Sequence, residues 1–142
     1  MRKLVLILSL IVFVFSCKKA EVREKIEGIW EIERIERGWN SPYGYSGTIE
    51  FESCTGKMNR KEECLANFYV IRHEKVTNNF DTSNYVRNYK IEKRAIELLV
   101  NAMGEYQLLR GRYSLSDPIN EKLILYQPGG PKSYQKIYLT RK

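Results

Sequence analysis

From Gly28 onward the chain is a succession of short alternating runs, each stopped by Gly, Asn, Asp, Ser or Pro. Period-two alternation of this length suits strands with one face buried, and it suits helices poorly. The first run alternates Trp30, Ile32 and Arg34 with Glu31, Glu33 and Ile35, and closes at Gly38. Gly44 to Gly47 reads as a turn, and Thr48 to Ser53 as a second strand with Ile49 and Phe51 on one face. Leu65 to Glu74 reads as the longest strand. It places Ala66, Phe68 and Val70 on one face and Leu65, Asn67, Tyr69, Ile71 and His73 on the other.

The remaining runs follow the same logic. Asn78 to Asn84 is a loop by composition. Tyr85 to Glu92 is a strand with Tyr85, Arg87, Tyr89 and Ile91 on one side. Ala95 to Val100 is short and apolar, and reads as strand or helix. Asn101 to Gly104 is a turn. Glu105 to Leu115 is a long strand with Tyr106, Leu108, Arg110 and Arg112 facing one way. Asp117 to Asn120 turns the chain, Leu123 to Tyr126 is a strand, Pro128 to Pro131 reverses it, and Tyr134 to Thr140 ends it. About eight strands with short connections in sequence order imply an antiparallel up-and-down barrel or meander. Closure into a barrel also removes the edges that invite aggregation. The alternatives are another antiparallel barrel or sandwich, or a mixed α+β fold.

The N-terminus follows another pattern. Arg2 and Lys3 precede twelve residues, Leu4 to Phe15, that are apolar apart from Ser9. A spanning helix needs about 20 such residues, whereas the apolar region of a signal peptide needs roughly 7–15. Val14-Phe15-Ser16-Cys17 then resembles a bacterial lipobox, with Phe15 bulkier than the usual occupant. The resemblance implies cleavage before Cys17 and a lipid on its thiol. Residues 1–16 would be the signal peptide, 17–26 the lipidated cysteine and tether, and 27–142 the β domain. Lys18 follows the cysteine where enteric inner-membrane lipoproteins carry aspartate. That favours the outer membrane, on its periplasmic or surface face. Cys54 and Cys64 then remain as a pair in an exported chain, for which a disulfide is the expected state. A metal pair would lack a second Cys/His pair.

Gly28-Ile29-Trp30, opening the first strand after a short helical turn near Val22 and Ile26, resembles the Gly-x-Trp signature of lipocalins. The resemblance implies an eight-stranded barrel closed by Trp30, with a basic residue of the last strand, Arg141, covering it. The outline is similar to small lipocalin-like lipoproteins of Bacteroidetes-type bacteria. Ser116-Asp117-Pro118 departs from the later Thr-Asp-Tyr signature of lipocalins.

Chemistry is sparse. The sole histidine, His73, has no nucleophile elbow or second histidine beside it. No phosphate loop is present, and no cofactor or metal is implied. We therefore expect a non-enzyme, with a hydrolase as the remote alternative. The formal charge of +7 comes from 24 basic and 17 acidic residues interleaved along the chain, with no basic run that points to nucleic acid. Tyrosine and arginine interleave in the strands. Placed inside a barrel, Tyr69, Tyr85, Arg87, Tyr89, Tyr106, Arg110 and Arg112 would suit a small amphiphile with an anionic head. Packed as core instead, they leave a second function class, an accessory module that docks an envelope protein.

Overall fold

The computed structural model describes residues 22–38, 41–54, 64–92, 94–99, 109–129 and 133–142. Eight strands follow one another: β1 (Gly28–Arg37), β2 (Tyr43–Phe51), β3 (Cys64–Glu74), β4 (Phe80–Glu92), β5 (Ala95–Leu98), β6 (Gly111–Leu115), β7 (Lys122–Gln127) and β8 (Gln135–Arg141). Each pairs antiparallel with the next, and β8 returns to β1, giving a closed barrel in sequence order. The mainly β, eight-stranded antiparallel barrel expected from the alternation is therefore the fold.

Faces follow the alternation. Ile49 and Phe51, then Ala66, Phe68 and Val70, then Arg87, Tyr89 and Ile91 are all buried inside. They join Trp30, Ile32, Ile96, Leu98, Tyr113, Leu123, Leu125, Ile137 and Leu139 in one core. The seam pairs Trp30 with Arg141 at one end and Arg37 with Gln135 at the other.

Several sequence expectations are corrected. Gly44 to Gly47 is no turn but part of β2, paired with His73 to Val70. Gly47 sits at φ 123°, and a Cβ there would lie 2.0 Å from the Tyr69 carbonyl oxygen. The glycine thus permits a close β2–β3 approach rather than a reversal. Residues 80–84 are not loop: they extend β4 and pair with His73 to Tyr69. The polarity of residues 81–84 reflects a solvated stretch of hairpin near the tip. That extension makes β4, at 13 residues, longer than the 11-residue β3. Arg34 does not share a face with Trp30 and Ile32. The register shifts between Ile32 and Arg34, so Glu33 is an extra residue and the parity of β1 reverses. Ile35 and Arg37 then lie opposite the inward Ile137 and Gln135. The strand-or-helix ambiguity at Ala95 resolves as strand, because β5 is hydrogen-bonded on both sides. Of the expected strand Glu105 to Leu115, only Gly111–Leu115 is described as strand; residues 105–108, and the turn at Asn101 to Gly104, lie outside the described residues. The turn near Asp117 closes at Ile119 and Lys122, with Asn120 and Glu121 at positive φ of 51° and 60°.

One end of the barrel is sealed. A helical turn over residues 22–26 buries Val22 and Ile26 against it. Trp30 is fully buried, donates its indole N–H to the Ile26 carbonyl at 2.7 Å, and lies under the Arg141 guanidinium at 4.6 Å. Arg141 also donates to the Glu27 and Lys25 carbonyls at 3.0 and 2.9 Å, which fastens the helical turn to the last strand. Arg23 adds a bond to the Cys54 carbonyl. The Cys54–Cys64 disulfide is formed at this same end.

Candidate binding sites inside and outside the barrel

The end opposite Trp30 is polar inside. Strand alternation, with the β1 bulge, turns Arg37 inward beside Gln135. From β2, Tyr45 packs against the core, and the Arg37 guanidinium lies 5.1 Å from its ring. From β4, Arg87 lies 4.9 Å from the Tyr85 ring, while that ring stacks on Phe68 at 4.9 Å. Arg72 of β3 lies 4.9 Å from the Tyr43 ring and pairs with Asp81 at 3.0 Å. Three arginine–tyrosine pairs thus gather at one end, each of a kind that stabilises by ~0.5–2 kcal/mol according to desolvation.

Below them the polar groups are buried. Arg87 is fully buried and donates to the Leu109 carbonyl. Tyr113 is fully buried and donates its hydroxyl to Gln135 Oε1 at 2.9 Å. Burial pushes the Tyr113 phenol well above its ordinary range, against the pull of the Arg87 and Arg37 charges. The phenol stays a neutral donor. Gln135 is 7% exposed, and its Nε2 has no hydrogen-bond partner. An unmatched buried amide costs about 1–3 kcal/mol, which an acceptor brought by a ligand would recover.

The other residues expected in a ligand site separate. Tyr69 points outward and is 44% exposed. Arg110 and Arg112 are exposed, and Arg112 pairs with Glu92 at 3.3 Å on the outer surface. Tyr89 is inside but at the sealed end, where it donates to the Glu52 carbonyl at 3.0 Å and meets Phe51 edge-on. Tyr106 and the expected lipid acceptor Cys17 lie outside the described residues. Tyr85 and Arg87 are brought together as expected. Arg37, Tyr45, Tyr113 and Gln135 complete the group and were not singled out from sequence. The signal for Arg37 is hidden by the bulge.

Among the described residues no group of three or more His, Cys, Asp or Glu could hold a metal ion. His73 stacks on Phe80 at 4.5 Å and bonds Asn78 Oδ1 at 2.8 Å, a tip contact with no nucleophile in it. A separate hollow of about 340 Å³ opens on the outer face of β2, β3 and β4. Comparison with protein-family models, curated proteins and solved structures finds no match for the chain.

Proposed function

We propose that this chain is a lipid-anchored envelope protein whose lipocalin-like barrel binds a small amphiphile with an anionic head. The observation that carries the binding is the buried donor group of Gln135 Nε2, beside Tyr113 and the inward Arg37 and Arg87. Donors and cations in one low-dielectric place favour a carboxylate or similar anion. The Tyr45 and Tyr85 rings offer apolar faces for the adjoining body of the ligand. The sealing of the other end by Trp30 and Arg141 fits the lipocalin reading of Gly28-Ile29-Trp30. Lipid on Cys17 would leave Lys18 to Glu21 as the link to the helical turn, at most about 14 Å of chain. The polar end would then face away from the anchoring membrane.

Calorimetric titration tests the binding. Laurate should bind at one saturable site, and Arg37→Gln should weaken it by about tenfold, the loss of one charge-assisted contact. Dodecyltrimethylammonium, with the same tail and opposite head, should not bind. Equal binding of both detergents, or no binding of either, overturns the reading. Fractionation tests the anchor: Cys17→Ser should move the protein from the membrane to the soluble fraction. A second reading, docking of an envelope protein, is favoured by Val76 and Phe80 at the β3–β4 tip, 83% and 66% exposed. Envelope cross-linking lost on Phe80→Ser would select it.

A further inference from the structure

We propose that the outer face of β2, β3 and β4 carries a second site, for a neutral saccharide. The hollow there has a volume of about 340 Å³, near the lower bound of roughly 300–1,000 Å³ for small-molecule sites. Strand register fixes what lines it. Thr48, Tyr69 and Asn84 form one row across the three strands, and Glu50, Asn67 and Val86 form the next. All six border the hollow.

The row chemistry selects the ligand. Tyr69 and Val86 are 44% and 49% exposed, so a flat ring and an apolar side chain stand open where a closed sheet face would ordinarily be polar. A sugar ring has one face of C–H groups that rests on such a platform. Around it stand a hydroxyl, two amides and a carboxylate, which match the alternating donors and acceptors of sugar hydroxyls. Asn67 is held in place, donating to Glu50 at 3.2 Å and to Glu52 at 2.6 Å. Its amide is oriented before any ligand arrives, which lowers the ordering cost of binding. No lysine or arginine lines the hollow, so phosphate, sulfate and carboxylate ligands have no partner there. The anionic ligand of the barrel interior is therefore excluded from this face, and the two sites are chemically distinct.

The close β2–β3 approach at Gly47 lies next to the first row. It fixes the spacing of Thr48 and Tyr69, so the hollow is part of the rigid ladder and not a loop surface.

A titration of isotope-labelled protein with cellotriose, maltotriose and chitotriose tests this. At least one should shift amide signals at residues 48–50, 67–69 and 84–86, with a Kd of about 1 mM or tighter. Tyr69→Ala should weaken that binding by about tenfold, whereas Tyr69→Phe, which keeps the ring, should hold it within about threefold. Arg37→Gln should leave saccharide binding unchanged while it impairs laurate binding, so the outcomes for the two sites separate. The proposal is overturned if none of the three sugars shifts these residues at about 10 mM, or if Tyr69→Ala binds as well as the parent. It is equally overturned if spermidine competes at the same residues, which would make Glu50 a cation site. Unchanged far-ultraviolet dichroism of Tyr69→Ala establishes that a loss of binding is local.

Discussion

Gly47→Ala should be among the most damaging single-methyl additions in this barrel. At φ 123° an alanine is strained whatever space it has, and the site offers none. The added carbon would lie 2.0 Å from the Tyr69 carbonyl oxygen and 3.1 Å from Val70 Cα. Ordinary contact requires about 3.5 Å, so β2 and β3 must separate by more than an ångström at that rung. Backbone strain of this type costs about 1–3 kcal/mol. Opening the rung breaks one or two ladder hydrogen bonds at about 1 kcal/mol each. The sum is about 2–5 kcal/mol, a large share of a typical domain stability of about 5–15 kcal/mol. Urea unfolding followed by tyrosine and tryptophan fluorescence should show the midpoint falling by about 2 M with little change in slope. Gly44→Ala is the internal control. It lies in the same strand, and its new carbon would meet nothing closer than 3.9 Å. It should be neutral or stabilising by about 0.5 kcal/mol, because glycine is entropically costly inside a strand. If the two variants unfold within about 1 kcal/mol of each other, the claim that Gly47 is required by the β2–β3 approach fails.

Three further outcomes follow from the sealed end and the polar interior. Arg141→Met removes two bonds to the Lys25 and Glu27 carbonyls and the cover over Trp30. It should cost about 2–3 kcal/mol and red-shift Trp30 emission, read in a Trp39→Phe background. An unshifted emission would mean that the indole does not depend on the guanidinium. Replacing Cys54 and Cys64 together by alanine should lower stability by about 2–4 kcal/mol, and dithiothreitol should do the same to the parent and nothing to the variant. Tyr113 keeps its proton in the folded barrel above its ordinary value of 10.0, where the unfolded chain loses it. Stability should therefore fall as pH rises above that value, and Tyr113→Phe should flatten the decline in a pH series of unfolding curves while losing the Gln135 bond.

Strand parity was legible wherever a run stayed in register. Tyr85, Arg87, Tyr89 and Ile91 lie inside as their alternation says, even though one of them is an arginine. Composition misled where it stood in for pairing. Gly44, Gly47 and the polar residues 81–84 carry turn chemistry, but in a closed barrel each has a neighbouring strand waiting to bond it, and the ladder prevails. The bulge at Glu33 is a property of two strands together, since one strand's alternation does not show the partner's register. It concealed Arg37, whereas Tyr45 was hidden by the turn chemistry of the glycines on either side of it. The interleaving of tyrosine and arginine suggests an interior place for Tyr69, whereas its own run sets it on the face away from Phe68, and there it is exposed. Parity was the better guide, and it leads to the outer hollow.

The seam between the first and last strands also sets when this protein can become itself. The bond from Arg141 to the Glu27 carbonyl joins residues 114 positions apart. Every seam pair from Arg37–Gln135 to Trp30–Arg141 waits for β8 to emerge. Until then β1 has β2 on one side and an open edge on the other, and Trp30 has no cover. Contacts of such long range are slow to form. A chain released before β8 would expose that edge to other chains, so a chain stopped before Gln135 should aggregate rather than merely loosen.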